Sequence, residues 1–462
     1  MTLIASVSGI RGTIGGSVEN NLTPLDTVTF AAAYGSWLLS HSTSSCKVVI
    51  GRDARISGPM VQQLVQQTLV GLGIDIIDVG LSTTPTVEME VVRQKAQGGI
   101  ILTASHNPKE WNALKLLNAK GEFISKTDGE DLMQHIADQS FDFATVDNLG
   151  KITTVTDAME AHINAILSLD WVDVEAIKTA NFSVVIDGVN STGGIAVPML
   201  LDKLGVNVTK IHCTPNGEFP HNPEPLKEHL TDLADAVLEH GAQLGVAVDP
   251  DVDRLVFMDE NGVLFGEEYT LVACADYVLQ HQKGAVVSNL SSSRALADLA
   301  LTHGVEYHAS AVGEVNVVEK MKAENAVIGG EGNGGVILPS LHYGRDALVG
   351  IALFLSYLAK QEISVSALKS KYSNYVMAKQ KIELSPDWDA DALLAYVAKT
   401  FLKERVTTID GVKIDFNDSW IHLRKSNTEP IVRLYAEANS QDRIAEQVAK
   451  VEAAIAAFVA SA

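Results

Sequence analysis

Cysteine is nearly absent from the chain: Cys46, Cys213 and Cys274 stand far apart in 462 residues and form no Cys-x-x-Cys pair. This excludes a disulfide framework and a thiolate zinc site, and points to a reducing compartment, the cytoplasm. Positive charge is also scarce. Lys and Arg total 35 against 57 Asp and Glu, a formal charge of -22, so no general attraction to nucleic acid or to an anionic membrane is expected. An anionic ligand would have to be met by a local cluster of cations. No apolar run reaches the roughly 18 residues of a membrane span, and MTLIASVSGIRG lacks the basic and apolar regions of a secretory signal. Low-complexity linkers are missing too, which implies domains packed tightly on one another. What the chain does have is 46% hydrophobic residues, spread over a length that suits three or four domains of about 100 to 200 residues each.

The pattern of these residues predicts an α/β fold. KVVIGRDARISGP reads as a β-branched strand, a polar loop and a helix over Met60 to Val70; GIDIIDVG is a second strand, and Thr86 to Lys95 a second helix. Carried on through GGIILTAS, this alternation predicts βαβ units with right-handed crossovers. FSVVIDGVNSTGG restarts the pattern and AQLGVAVDPDVDR closes that block. A third block opens on a hairpin, RLVFMDENGVLF, turned at Asn261-Gly262. From about Ser370 short antiparallel strands take over, ending in an alanine-rich helix over Asp442 to Val459. The expected domains are 1–150, 151–253, 254–369 and 370–462: three similar α/β domains with mixed or parallel sheets, then a smaller α+β domain.

Four stretches carry chemistry. In DPDVDR, Asp249, Asp251 and Asp253 alternate directly after a strand. In an extended segment they share a face, and three converging carboxylates repel unless a cation lies among them. A solvated acidic turn is the plainer alternative. An EF-hand is excluded, because its sixth position, a glycine, falls on Arg254. With three carboxylates for a six-coordinate Mg²⁺, a phosphate is the natural further ligand. TASHNPKEWNALK places Ser105 in a loop at the carboxyl end of a strand, where open α/β sheets gather ligands; Ser105 either caps a turn or, as a phosphoserine, ligates the metal and donates its phosphoryl group. In RKSNTEPIVR, Arg424, Ser426, Asn427 and Thr428 present a guanidinium, hydroxyls and backbone donors around one loop, an anion site, while Arg433 in the following strand suits a carboxylate partner as well. GGEGNGG lets backbone approach a ligand closely and offers Glu331 and Asn333 to vicinal sugar hydroxyls, or is simply a glycine turn.

In this order and over the whole length, TASHNP, DPDVDR, GEGNGG and RKSNTEP, with SGIRGTIG and GRDARISG, resemble the α-D-phosphohexomutase superfamily. The resemblance implies a heart-shaped, four-domain enzyme around a central cleft, in which Ser105 is phosphorylated. It implies one Mg²⁺ on Asp249, Asp251, Asp253 and the phosphoserine, with Arg254 and His106 beside the transferring phosphate and Lys115 as general acid/base. It implies sugar contacts from Glu331 and Asn333, phosphate contacts from Arg424, Ser426, Asn427 and Thr428, and Arg11 near the active-site phosphate. The expected reaction moves a phosphoryl group between the 6- and 1-positions of a hexose phosphate, with a hexose 1,6-bisphosphate as activator and intermediate, in a monomer or homodimer that binds neither nucleic acid nor membrane. Asn333 and Gly335 stand where many members have serine and histidine. This favours glucosamine phosphate as substrate, and leaves His342 as a stand-in for that histidine. The alternatives are a phosphomannomutase or phosphoglucomutase and, in another class, a non-catalytic sugar-phosphate binder.

Overall fold

The computed structural model describes residues 2–6, 9–42, 45–385, 388–426 and 431–461. The chain divides into two compact units, Met1–Lys283 with Val327–Lys369, and Gly284–Ala326 with Ser370–Ala462.

In the first unit the strand Lys47–Arg52 turns Val48 and Ile50 to one face and Val49 to the other. Val48 and Ile50 join a core with helices Pro24–Ser40 and Gly58–Gly71, Val49 a core with helix Thr84–Arg93. A continuous apolar run, rather than an alternating one, is what burial on both faces requires. Gly98–Leu102 behaves alike, with Ile100 and Leu102 opposite Ile101. Lys47–Arg52 pairs in parallel with Asp75–Leu81 and with Gly98–Leu102, as the predicted βαβ alternation requires. The next strand, Trp111–Leu117, runs antiparallel between Gly98–Leu102 and Gly9–Thr13, so the sheet is mixed and Lys115 stands opposite both Gly9 and Ile101. Helix starts carry their own caps: Thr23 and Asp26 satisfy each other's backbone N–H groups, and Thr83 accepts from the N–H of Thr86.

A second sheet in this unit runs Leu255–Met258, Leu244–Val248, Ser183–Asp187, Asn207–Ile211. The last three are parallel and the first is antiparallel to its neighbour. Here the predicted hairpin forms only in part. Its turn is present, with Gly262 at φ +70°, but Leu255–Met258 pairs along its length with Leu244–Val248 and is joined to the return leg by the single bridge Met258–Leu264 and the Phe265 N–H on the Phe257 carbonyl at 2.8 Å. Leu255 through Met258 are all buried and need cover on both faces, whereas Val263 on the return leg is exposed. The hairpin Ile328–Glu331 and Gly335–Ile337, and the almost wholly buried helix Ala347–Gln361, complete the unit.

The second unit contains the parallel pair Val286–Asn289 and Tyr307–Ser310 and a five-stranded antiparallel sheet. That sheet packs under helices Ala390–Thr400 and Gln441–Ser461, the latter covering the predicted C-terminal helix. Within the unit Lys413 Nζ donates to the Leu290 carbonyl at 2.8 Å, and the Arg294 N–H to Glu437 at 2.9 Å. The α/β class with mixed and parallel sheets, followed by a C-terminal α+β block, is as expected. No helix among the described residues is long and apolar enough to cross a membrane.

Candidate active site

The aspartates do converge, but not by the predicted route. Asp249 follows the strand Leu244–Val248, and the residues after it turn instead of extending, with Val252 at φ +64°. A left-handed β-branched residue is a strained choice. It is held by the Val252 N–H on the Asp249 carbonyl at 3.1 Å, and by Asp249 Oδ1 accepting the N–H groups of Asp253 and Arg254, each at 3.1 Å. The turn brings carboxylate oxygens of Asp249, Asp251 and Asp253 within 4.8 Å of one another, all three residues fully buried. Oδ1 of Asp251 and Oδ1 of Asp253 have no hydrogen-bond partner among the described residues. Orphaned buried carboxylate oxygens at this spacing fit a hard divalent cation such as Mg²⁺.

Ser105 faces this triad. It is buried at φ +48°, and its Oγ donates to Asp249 Oδ2 at 2.6 Å rather than capping its own turn. His106 Nδ1 lies 3.4 Å from the same Oγ. Burial, followed by the positive charge of Arg254, pushes the His106 imidazole down to about 2, which leaves it neutral. Lys115 Nζ donates to Asp251 at 2.7 Å and Asp253 at 3.2 Å. Burial alone would lower its pKa, but these two carboxylates outweigh it and hold the ammonium above its ordinary value. Burial likewise works to raise Asp253, and Arg345 with Lys115 overcomes it and holds the carboxyl below the usual range. For Asp249, burial and then its two acidic neighbours act together, and its pKa is raised.

Arg11, Ser105, His106, Lys115, Arg254 and Arg345 line one cavity of about 270 Å³. Arg254 Nη1 donates to Glu224 at 3.0 Å, while its buried Nε has no hydrogen-bond partner among the described residues. Glu331 ends a strand, and the Asn333 amide oxygen accepts from the Gly335 N–H at 3.2 Å. Gly334, at φ +87°, passes so close to Leu255 that an added Cβ would lie 2.3 Å from the Leu255 carbonyl oxygen.

Three residues not expected to act here belong to the site. Arg345 bridges Asp253 at 2.7 Å and Glu331 at 3.0 Å, tying the acidic turn to the sugar-type loop. Thr84 Oγ1 donates to Asp251 Oδ2 at 2.6 Å. Arg55 binds the carbonyls of Ser105, Asn107, Pro108 and Trp111 and so holds the serine loop from behind. One signal could have found Arg345: the tetrapeptide Gly-Arg-Asp-Ala occurs at 51–54 and again at 344–347.

His342 is engaged elsewhere. It is half-buried between Glu88 at 3.3 Å and Asp346 at 3.4 Å, and Asp346 also meets His162 at 2.9 Å. Burial opposes its charge, but Asp346 and Glu88 prevail and push it up to about 10. A raised pKa contributes stability that is complete below the unfolded value and is lost as pH rises through the folded one. The gap in urea midpoint between the parent protein and His342→Gln is therefore expected to be largest near pH 6 and to shrink towards pH 10; a gap that widens with pH would contradict this assignment.

Arg424 and Ser426 belong to the second unit. There Arg424 pairs with Asp410 at 2.9 Å, the Ser426 N–H donates to the Ile431 carbonyl at 3.0 Å, and Lys381, Arg433 and Arg424 are cross-strand neighbours. Asn427 and Thr428 lie outside the described residues.

Comparison with known proteins bears on the whole chain. Models of the phosphoglucomutase/phosphomannomutase α/β/α domains I, II and III match residues 3–143, 160–262 and 266–375, and that of the C-terminal domain matches 376–454. A phosphoglucomutase/phosphomannomutase of Thermococcus kodakarensis is 35% identical, over 94% of this chain and 96% of the relative. A phosphoglucosamine/phosphogalactosamine mutase of Sulfurisphaera tokodaii is 30% identical, over 96% of each. The crystal structure of a phosphoglucomutase/phosphomannomutase family protein of Burkholderia thailandensis superposes with a TM-score of 0.86 at 24% identity, covering 98% of this chain and 97% of that one. The chain belongs to the phosphoglucomutase/phosphomannomutase family of phosphohexomutases, and is an isomerase of that class.

Proposed function

We propose that this enzyme moves a phosphoryl group between the 6- and 1-positions of glucosamine phosphate, through a phosphoserine at Ser105 and a 1,6-bisphosphate intermediate. The observation that carries the reading is the position of Ser105 Oγ, 2.6 Å from one aspartate of a buried triad whose other two members hold Lys115. Asp249, Asp251 and Asp253 would hold Mg²⁺ together with the phosphoserine, and the ion when bound supplies charge neutralisation for the transferring group.

In the first half-reaction the P–O bond to Ser105 Oγ breaks as one to a sugar hydroxyl oxygen forms; in the second the other phosphoryl group of the bisphosphate leaves its sugar oxygen as a P–O bond to Ser105 Oγ forms. Lys115 carries the proton of the sugar hydroxyl to Ser105 Oγ in the first and from Ser105 Oγ to the departing sugar oxygen in the second. Lys115 must lose its proton to begin this cycle, against the hold of Asp251 and Asp253 that keeps it an ammonium. Arg254 and Arg11, with neutral His106, receive the phosphate in the cavity. Glu331 accepts from sugar hydroxyls, and Arg424 and Ser426 serve the distal phosphate with Asn427 and Thr428.

Asn333 and the Sulfurisphaera relative favour the amino sugar, while the 35% identity to the Thermococcus enzyme favours a phosphoglucomutase/phosphomannomutase. A coupled assay with Mg²⁺ and hexose 1,6-bisphosphate, comparing glucosamine 6-phosphate, mannose 1-phosphate and glucose 1-phosphate, separates them. Higher kcat/KM for glucosamine 6-phosphate is expected; higher values for either other sugar would replace the substrate and leave the mechanism standing.

A further inference from the structure

The carboxyl edge of the second sheet carries a second set of donors, apart from the aspartate triad. Asp187 ends the strand Ser183–Asp187, His212 follows the strand Asn207–Ile211, and His221 comes from the loop beyond it. One ligand atom from each lies within 4.8 Å of the others. Parallel α/β sheets gather ligands at this edge.

The hydrogen bonds ask for a cation between these side chains. His221 Nδ1 is 2.8 Å from the Asn222 carbonyl oxygen, which can only accept, so Nδ1 carries the proton. In the neutral ring Nε2 then presents a lone pair, and it faces Asp187 Oδ2 at 3.0 Å. Two lone pairs at that distance repel unless a proton or a metal ion lies between them. A ring that donates one nitrogen to a backbone carbonyl while offering the other is also the usual arrangement of a ligating histidine. His212 is fixed in a similar way, its Nε2 3.1 Å from Asp232 Oδ2. Its backbone is left-handed at φ +50°, and its carbonyl accepts the Asn190 N–H at 2.6 Å. The Asp187 side chain is buried, while those of His212 and His221 are 21% and 15% exposed, so an ion can enter from solvent and keep water ligands.

We propose that Asp187, His212 and His221 form a second metal site, of the two-histidine, one-carboxylate type, for a Zn²⁺-class transition-metal ion. Imidazole ligands select such ions, whereas the all-oxygen triad at Asp249 suits Mg²⁺, so the two sites sort different metals. The loop that supplies His221 also supplies Glu224, the partner of Arg254, and an ion on His221 stiffens the segment that holds that arginine.

Co²⁺, titrated into the full-length protein in excess Mg²⁺, reads the site through its visible absorption. The expected result is a band that saturates at one equivalent and is displaced by Zn²⁺. His212→Gln and His221→Gln should each weaken Co²⁺ binding by about tenfold or more, and Asp232→Asn, which removes only the carboxylate behind His212, by about tenfold. Asp251→Asn should leave the band in place. Asp232 is well exposed, so its variant keeps the test decisive should a histidine variant fold poorly. The proposal is overturned if the parent protein shows no band, or if the band survives unchanged in the His212, His221 and Asp232 variants; His221 is then simply protonated against Asp187.

Discussion

Ser105→Ala is expected to lower kcat for hexose phosphate by on the order of 10⁴-fold or more, the loss typical of removing a covalent nucleophile. The fold should be little affected. The serine already bears the left-handed backbone at φ +48°, and the turn at Asp249 is held by Oδ1 on two backbone N–H groups, not by Oδ2, which takes the Ser105 hydroxyl. The check has two readouts. Turnover is followed in the coupled assay, and phosphate incorporation by mass spectrometry after incubation with hexose 1,6-bisphosphate. The parent protein should become phosphorylated on a peptide containing residue 105, and the variant should not. Full turnover in the alanine variant would remove the phosphoserine from the mechanism whichever sugar the enzyme prefers.

Local residue chemistry was readable where it fixes local structure. The apolar runs KVVIGR and GGIIL predicted buried strands because side chains on both faces need cover, and Val48, Val49 and Ile50 divide between two cores. Ser105 and the three aspartates were readable as types and spacing, Lys115 through the family resemblance, and the chain brings them together. The manner of convergence at Asp249 was not readable. It depends on Val252 taking a left-handed conformation that its own preferences oppose, imposed by hydrogen bonds from residues on either side. Arg345 was hidden for another reason: its two carboxylate partners lie 92 and 14 residues away in sequence, and only the fold brings it to them. His342 shows the opposite error, since proximity in sequence to the glycine loop said nothing about Glu88 and Asp346, which claim its ring.

Arg55→Met is expected to be among the most destabilising single changes in the first unit, by about 3–5 kcal/mol, the cost of stripping one partner from a buried ion pair. Arg55 and Asp53 are both fully buried, with Nε 3.0 Å from Oδ2. Burial raises the Asp53 pKa even with Arg55 present to oppose it, and methionine would leave that carboxylate with Thr103 as its remaining side-chain donor, at 2.7 Å. The four other guanidinium contacts reach carbonyls of Ser105, Asn107, Pro108 and Trp111 at 2.5 to 2.9 Å. A planar fork with five donors fills all of these positions at once, and a lysine ammonium with three cannot. Arg55→Lys should therefore recover part of the urea midpoint, by restoring charge beside Asp53, while kcat stays low because the serine loop loses its brace. Arg55→Met/Asp53→Asn should likewise be more stable than Arg55→Met alone, since the orphaned charge is gone. If Arg55→Lys restored kcat and midpoint together, charge alone would account for the residue, and the contacts to the serine loop would be incidental to catalysis.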